Sequence, residues 1–378
     1  MKRTANLAAA AFITAALVTN AFRFWLLEVV NVHGDDFRFY YSMARVGLTY
    51  GWSHIYDLSL QCAPIGPISE TQAHCPGLLL PPMAWLFTPF TALPYTSAYP
   101  LWMALLGLCY AAIIALLWSC FPEPKGVYVA AAFTAYPLAY GLFLGQTAII
   151  ALLGVVLAWW LLCAQRPNLA GVALVLSLAK PQIVILVPIA LAVAGQWRTV
   201  VVFAGLSSAI GLASLATLGM HGLTAYFSIT RDALAPQANY VYTLRGVFGP
   251  AAGTSFQYLL ALVALFSAWR FRAHLDAVIL LGILGSALVS PYWHVPDYVV
   301  LVAAAALQLS LGPRFPAVFL AAALFVIGSP FAVGVTFLPA VVQVGSWLLL
   351  EVGWLLWLAS RPAASFTHAG SQPVVAAA

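Results

Sequence analysis

Two adjacent acids, Asp35 and Asp36, open the stretch HGDDFRFYYSMARVGLTYG. One acid there is accounted for as the N-cap of the helix that follows, because a carboxylate accepts the orphan N–H groups of a first turn. A second is more than capping needs, and can serve as a general base that takes a proton from a hydroxyl. His294 lies in SPYWHVPDY, beside Tyr292, Trp293 and Asp297, where Pro291 and Pro296 interrupt any helix. It is either a hydrogen-bonded structural residue or a ligand or acid in a cavity. Lys180 sits inside the apolar run LAGVALVLSLAKPQIVILVPIA. At the centre of a membrane it would cost ~2.5–3.5 kcal/mol. The break at Pro181 brings it toward a surface, where it faces an anion or snorkels to lipid headgroups. Gln146 follows Gly145 at another helix end, where it bonds a sugar hydroxyl or satisfies free carbonyls. Arg231 and Arg245 bind phosphate or sit beside anionic lipid. The chemistry these types allow is activation of a hydroxyl beside a phosphate.

The elements that must position them follow from composition. Of 378 residues, 63% are hydrophobic and 7% charged, with mean hydropathy +0.97. A soluble domain carries roughly a quarter charged residues, so this chain cannot cover a water-facing surface. In lipid every backbone polar group is paired internally, which leaves helical bundles or closed barrels. Runs such as LAAAAFITAALV and LWMALLGLCYAAIIALLW lack polar alternation, so the expected fold is all-α, a polytopic transmembrane bundle. The net charge of +5 comes from singly scattered Lys and Arg, which read as topology signals. No basic patch with interleaved aromatics is present, so nucleic acid is not an expected partner; membrane lipids are.

About 20 apolar residues cross a ~30 Å hydrocarbon core, fewer where a helix is broken. Candidate crossings are 5–29, 97–120, 127–143, 145–164, 168–180, 181–197, 199–219, 251–269, 275–291, 296–311, 315–331 and 335–358. Lys2 and Arg3 put the N-terminus inside, on an uncleaved first helix, so residues 30–77 form a first outer loop. Lys125, Arg166, Arg198, Arg270 with Arg272, Arg314 and Arg361 are then all cytoplasmic only if segment 78–93 does not cross. That segment carries Pro81, Pro82 and Pro89 and reads as a re-entrant or short helix. Twelve crossings result, with thirteen as the fallback. Residues 1–360 make one transmembrane domain, 220–250 a second outer loop, and 361–378 a low-complexity cytoplasmic tail. The unusual residues then gather on the extracytoplasmic side of a multi-pass plasma-membrane protein.

From Asp36 onward the first outer loop reads as an amphipathic helix. Phe37, Tyr40, Tyr41, Ala44 and Leu48 share one face, and Arg38, Ser42, Arg45 and Thr49 another. Such a helix lies in the interface with its aromatics in lipid or on the bundle. Cys109, Cys120 and Cys163 lie in or beside apolar helices as packing residues. Cys62 and Cys75 flank a polar loop and can be bridged if that loop is outside the cell.

No Walker loop, dinucleotide glycine fingerprint, HExxH or GxSxG occurs, so a soluble nucleotide donor has no recognisable pocket. The stretches DFRFYYSMA, PGLLLPPMAWLFTPF, LFLGQTAII, GVALVLSLAKPQIVILVPI with Trp197-Arg198, and SPYWHVPDY do resemble a known family. In this order, over roughly residues 5–310, they are similar to glycosyltransferase family 87. That family belongs to the GT-C superfamily of polyprenyl-phosphate-sugar-dependent transferases, and its mannosyltransferases extend phosphatidylinositol mannosides. The resemblance implies a GT-C bundle with an acid in the first outer loop as base, a polyprenyl-phosphate sugar as donor, and inversion at the sugar carbon. The family's acid-plus-aromatic pattern falls on Asp36 with Tyr40; the extra Asp35 leaves two acids for the one role. Lys180, Arg231 and Arg245 become candidates for the donor phosphate, and His294 for phosphate or acceptor. Tyr40, Gln146, Tyr292 and Trp293 become substrate contacts.

The expected function is therefore an inverting membrane glycosyltransferase moving a sugar, with mannose implied, from polyprenyl phosphate to a lipid or glycan acceptor. No cofactor is expected beyond that co-substrate, and one acid pair without further ligands argues against a metal. The competing reading is a transporter or flippase of lipid-linked sugars, for which paired broken helices in two related halves are expected. A non-catalytic scaffold in envelope assembly is the third.

Overall fold

The computed structural model describes residues 35–62, 77–234, 242–311 and 340–362, with Ala15, Val18 and Phe366. Within these the chain is helical and contains no strand. The expected crossing at 315–331, and 5–29 but for Ala15 and Val18, lie outside the described residues, as do Cys75 and the start of 335–358.

The first element is α1, Asp35–Tyr50. Gly51 ends it at φ 101, a backbone that only glycine adopts without strain. Phe37, Tyr40, Tyr41 and Ala44 are buried, as the three- and four-residue spacing requires. Two features differ from the periodicity. Leu48 is exposed, and Arg38 and Ser42 on the polar face are buried. The cause is the chain beyond Gly51, which folds back through a 3₁₀ turn, Trp52–His54, and the short helix α2, Leu58–Gln61. Ser42 Oγ donates to the Gln61 carbonyl at 2.7 Å, and Gly77 N–H donates to Gln61 Oε1 at 2.9 Å. α1 is thus packed on both sides. Cys62 is in a disulfide, while Cys109, Cys120 and Cys163 are free thiols.

Next come α3 (Pro81–Phe87), a 3₁₀ stretch (Thr88–Ala92) and α4 (Tyr95–Leu116). α3 rises only ~10 Å at 1.5 Å per residue. Around Phe37 these elements build an aromatic cluster, with Tyr95, Tyr99, Phe87 and Trp102 rings at 5.4, 5.6, 5.7 and 6.5 Å. Such tilted pairs add to simple area burial.

Beyond it most apolar segments are broken. α5 (Lys125–Phe133) and α6 (Tyr136–Leu144) meet at a 43° bend, where Pro137 opens the second helix. α7 is Ala148–Cys163; α8, Pro167–Leu174, runs into a 3₁₀ stretch, Val175–Ala179; Lys180 and Pro181 break the chain before α9, Leu186–Val193. α10 (Trp197–Leu234) is two helical pieces that meet at Gly219, whose φ 59 and ψ −170 are not helical. The expected crossing 199–219 ends at that break, and residues expected to begin the second outer loop are helical again through Leu234. No proline lies between Gly219 and Leu234, so a helix can resume after the glycine break. α11 (Leu244–Phe248), α12 (Pro250–Arg270), α13 (Leu275–Val289), a 3₁₀ turn (Val295–Val299), α14 (Val300–Ser310) and α15 (Ala340–Ser360) complete the described chain.

α7 and α13 form the centre, buried along nearly their whole lengths. α13 approaches α9 through Gly282 and Gly285: a methyl at Gly282 would stand 2.9 Å from Val187 Cα. Small residues at that spacing let helix backbones touch, the packing that holds bundles together in lipid. The outer wall is α4, α10 and α12, whose Leu108, Leu212, Met220, Tyr258 and Leu262 point outward. Among the described residues these three helices are long and apolar enough to cross a membrane, and the bent α5–α6 pair makes a fourth if counted as one span. Shorter apolar helices of 10–17 residues include Ala148–Cys163, Pro167–Ala179, Leu275–Val289 and Val295–Ser310.

Candidate active site at the broken-helix junctions

The site is assembled by chain breaks. α6 ends at Gly145, in the left-handed region at φ 76. Gly145 N–H donates to the Leu142 carbonyl at 3.0 Å and Gln146 N–H to Gly141 at 2.8 Å, the paired bonds of a Schellman end. A side chain at Gly145 would be strained, and its Cβ would lie 2.8 Å from Phe37 Cβ and 3.2 Å from Trp102 Cδ1. The turn is clamped between α1 and α4, and Trp102 Nε1 donates to the Gly145 carbonyl at 2.8 Å. Docking Phe37 on Gly145 places its neighbour Asp36 on Gln146.

A polar chain follows. Gln146 Nε2 donates to Asp36 Oδ2. Gln146 Oε1 accepts from Lys180 Nζ at 2.7 Å. Lys180 Nζ lies 2.5 Å from Asp297 Oδ1. Asp297 Oδ2 in turn accepts from the His294 backbone N–H at 3.0 Å, closing the loop that carries the histidine. Thr147 Oγ1 donates to the Ala179 carbonyl at 2.9 Å, tying the Gly145 break to the Lys180 break. Lys180, Asp297 and Gln146 are all buried, whereas Asp36 is half-buried and so reachable. An amide between a carboxylate and an ammonium can satisfy both only in one orientation, N–H toward the acid and C=O toward the cation. The array is therefore fixed in polarity as well as in position.

Tyr40 lies beside Asp36 and Thr147; burial, then the Asp36 charge, keeps its phenol protonated. The Tyr292 ring lies 5.9 Å from Lys180 Nζ and meets His294 edge-on at 4.7 Å. Burial pushes the His294 imidazole below its ordinary value, and Lys180 pushes the same way against Asp297. Trp293 is fully buried against Tyr298, ring to ring at 5.7 Å, which gives it a packing role.

Of the residues the sequence singled out, the structure gathers Asp36, Tyr40, Gln146, Lys180, Tyr292 and His294. Arg231 is exposed on the last turn of α10, and Arg245 is half-buried on α11. Asp35 opens α1, and its side chain lies outside the described residues. Sequence reasoning gave no role to Asp297 or Thr147. Asp297 was visible as an acid directly after Pro296 in a proline-broken junction, but its partner, Lys180, is remote in the chain. A second buried acid, Asp276, accepts from Trp159 Nε1 at 2.8 Å and Ser310 Oγ at 2.5 Å, which makes it part of the core.

A helical membrane protein with a half-buried acid wired through an amide to a buried ion pair, all at interrupted helix ends, is built for polar chemistry in a low-dielectric wall. The sequence profile of Glycosyltransferase family 87 matches residues 81–330, and the chain belongs to that family. It is accordingly a membrane glycosyltransferase. No curated protein and no solved structure matches the chain. The match takes in Gln146, Lys180, Arg231, Arg245, Tyr292, Trp293, His294 and Asp297, and begins after α1. Asp36 joins the family region through the Phe37–Gly145 contact and the Gln146 hydrogen bond.

Proposed function

We propose that this glycosyltransferase moves a sugar, mannose by family resemblance, from polyprenyl phosphate to a hydroxyl of a lipid or glycan acceptor, with inversion at the sugar carbon. The observation that carries this reading is the Asp36–Gln146–Lys180 chain. It joins a reachable acid to a cation, which are the two groups the reaction needs.

The acceptor hydroxyl is a poor nucleophile, and Asp36 takes its proton as it attacks the anomeric carbon. A positioned carboxylate contributes ~10²–10⁴-fold in that role. The bond between that carbon and the phosphate oxygen breaks, and the phosphate leaves as an anion. It needs positive charge more than a proton. Lys180 has three N–H donors, two directed at Gln146 and Asp297. The third is assigned to a donor phosphate oxygen, with His294, Arg231 and Arg245 completing the donor side. Tyr40, Gln146 and Tyr292 line the sugar position, and Trp293 supports it from behind. Asp35 is the second acid offered for the role of base. In topology the reading keeps twelve crossings, with the site on the extracytoplasmic face of the plasma membrane, as the Lys and Arg parity requires.

The test is transfer by purified, reconstituted protein offered mannosyl and arabinosyl polyprenyl phosphates, with products read by mass. Asp36→Asn is expected to lose at least ~10²-fold in turnover with elution and helicity unchanged. Turnover equal to the parent in that variant sinks the base assignment, and transfer of arabinose alone sinks mannose.

A further inference from the structure

A second polar cluster lies apart from the Asp36 array in sequence and is not used by the proposed reaction. It joins the loop after α1 to the part of α10 that follows Gly219. His54 Nδ1 is 2.7 Å from Asp57 Oδ2, and His221 Nε2 is 3.0 and 3.2 Å from the two Asp57 oxygens. The two imidazole rings stand 4.8 Å apart, and one ligand atom from each of the three residues falls within 4.8 Å of the others. The geometry points to a divalent transition-metal site with His54, Asp57 and His221 as its protein ligands, fitted to Zn²⁺.

Ligand chemistry selects the ion. Two imidazoles and one carboxylate suit zinc and its late first-row neighbours, whereas calcium and magnesium prefer all-oxygen shells. Zn–N and Zn–O bonds of about 2.0–2.2 Å set tetrahedral ligand atoms a little over 3 Å apart. The observed separations are within a few tenths of an ångström of that for the two contacts to His221. The hydrogen-bonded triad is therefore close to the arrangement that would close on an ion as the imidazoles lose their N–H protons. His54 and His221 are 40% and 57% exposed, which leaves an entry path and a fourth position for water.

The backbone beneath is already fixed on both sides. A side chain at Gly222 would come 2.8 Å from the Ser53 carbonyl, so α10 lies directly against the 3₁₀ turn that carries His54. One turn on, Tyr56 packs against Tyr226 at 5.0 Å, and its hydroxyl donates to the Leu79 carbonyl at 2.5 Å. An ion here would pin the 52–57 loop to a helix 164 residues away in the chain. That loop backs the face of α1 opposite its aromatic cluster, so the clip would hold α1 in place.

The experiment uses full-length protein in detergent with its purification tag removed and its metals stripped by chelator. Cobalt(II) is expected to bind at one saturable site per chain with visible d–d bands, and zinc to displace it. His54→Ala and His221→Ala should each abolish that binding, and His221→Gln should do the same with less disturbance to packing. Zinc should raise the melting temperature of the parent and leave that of His221→Gln unmoved. X-ray absorption of the zinc-loaded parent, which depends on no variant, should show two imidazole ligands and an oxygen shell. No saturable cobalt site, binding undiminished in His221→Gln, or an oxygen-only shell overturns the assignment.

Discussion

Asp297 is fully buried, and its carboxylate is held by an ammonium and a backbone N–H. Removing one member of a buried ion pair leaves the other charged in a low dielectric, at a cost of about 3–5 kcal/mol, whereas replacing both by apolar groups is often neutral. Lys180→Met and Asp297→Leu alone should therefore each unfold the protein at markedly lower temperature. The Lys180→Met/Asp297→Leu double variant should recover much of that loss, read by fluorescence-detected melting, and still transfer no sugar. A double variant that keeps transfer removes Lys180 from the site. At this scale the sequence revealed residue types and withheld pairings. Lys180 in an apolar run and Gln146 after a glycine were conspicuous because lipid penalises them. That one amide bridges Lys180 to Asp36 depends on three chain breaks meeting, which no local spacing encodes.

Helix ends rather than helix middles carry the site, and two of them allow a controlled comparison. Gly145 and Gly195 both end helices at positive φ, 76 and 88, with the same pair of closing hydrogen bonds. Around Gly195 no atom lies within 4 Å of an added Cβ, while Gly145 meets Phe37 at 2.8 Å. Gly195→Ala should pay the left-handed backbone strain alone, ~1–2 kcal/mol. Gly145→Ala should pay that strain and an overpacking cost of ~1–3 kcal/mol. Its added methyl pushes α1 and with it Asp36. Transfer is thus expected to fall in Gly145→Ala well beyond the shared stability loss, and to be near parental in Gly195→Ala at a temperature where both are folded. Equal turnover in the two variants would mean that the Phe37 contact does not set the position of Asp36. The amphipathic spacing of α1 correctly identified Phe37, Tyr40, Tyr41 and Ala44 as one buried face. It could not show that Arg38 and Ser42 are covered as well, because that depends on a loop returning from Gly51.

Across the whole molecule the membrane is written in composition and the thickness is not. Exposed Leu, Phe and Met on α4, α10 and α12 have no water-facing explanation, while 10–17-residue helices each fall short of a ~30 Å core. Proline and glycine breaks explain why the hydropathic runs looked longer than the helices within them. Sidedness therefore rests on charge, and one segment makes it testable. Arg166 is exposed at the start of the segment formed by α8 and its 3₁₀ extension, and Lys180 ends that same segment. In the twelve-crossing reading that segment is a crossing, so the Asp36–Gln146–Lys180 array is expected on the side opposite Arg166. In a background with Cys109, Cys120 and Cys163 replaced by alanine, an impermeant maleimide should label Arg166→Cys in inside-out vesicles only. Leu58→Cys, exposed in the loop after α1, should label in intact cells only. Labelling of Arg166→Cys from outside would reverse the parity and turn the array toward the cytoplasm. The acceptor would then have to be sought among cytoplasmic glycolipids, because the segment that ends at Lys180 cannot be inverted without carrying the base and its amide with it.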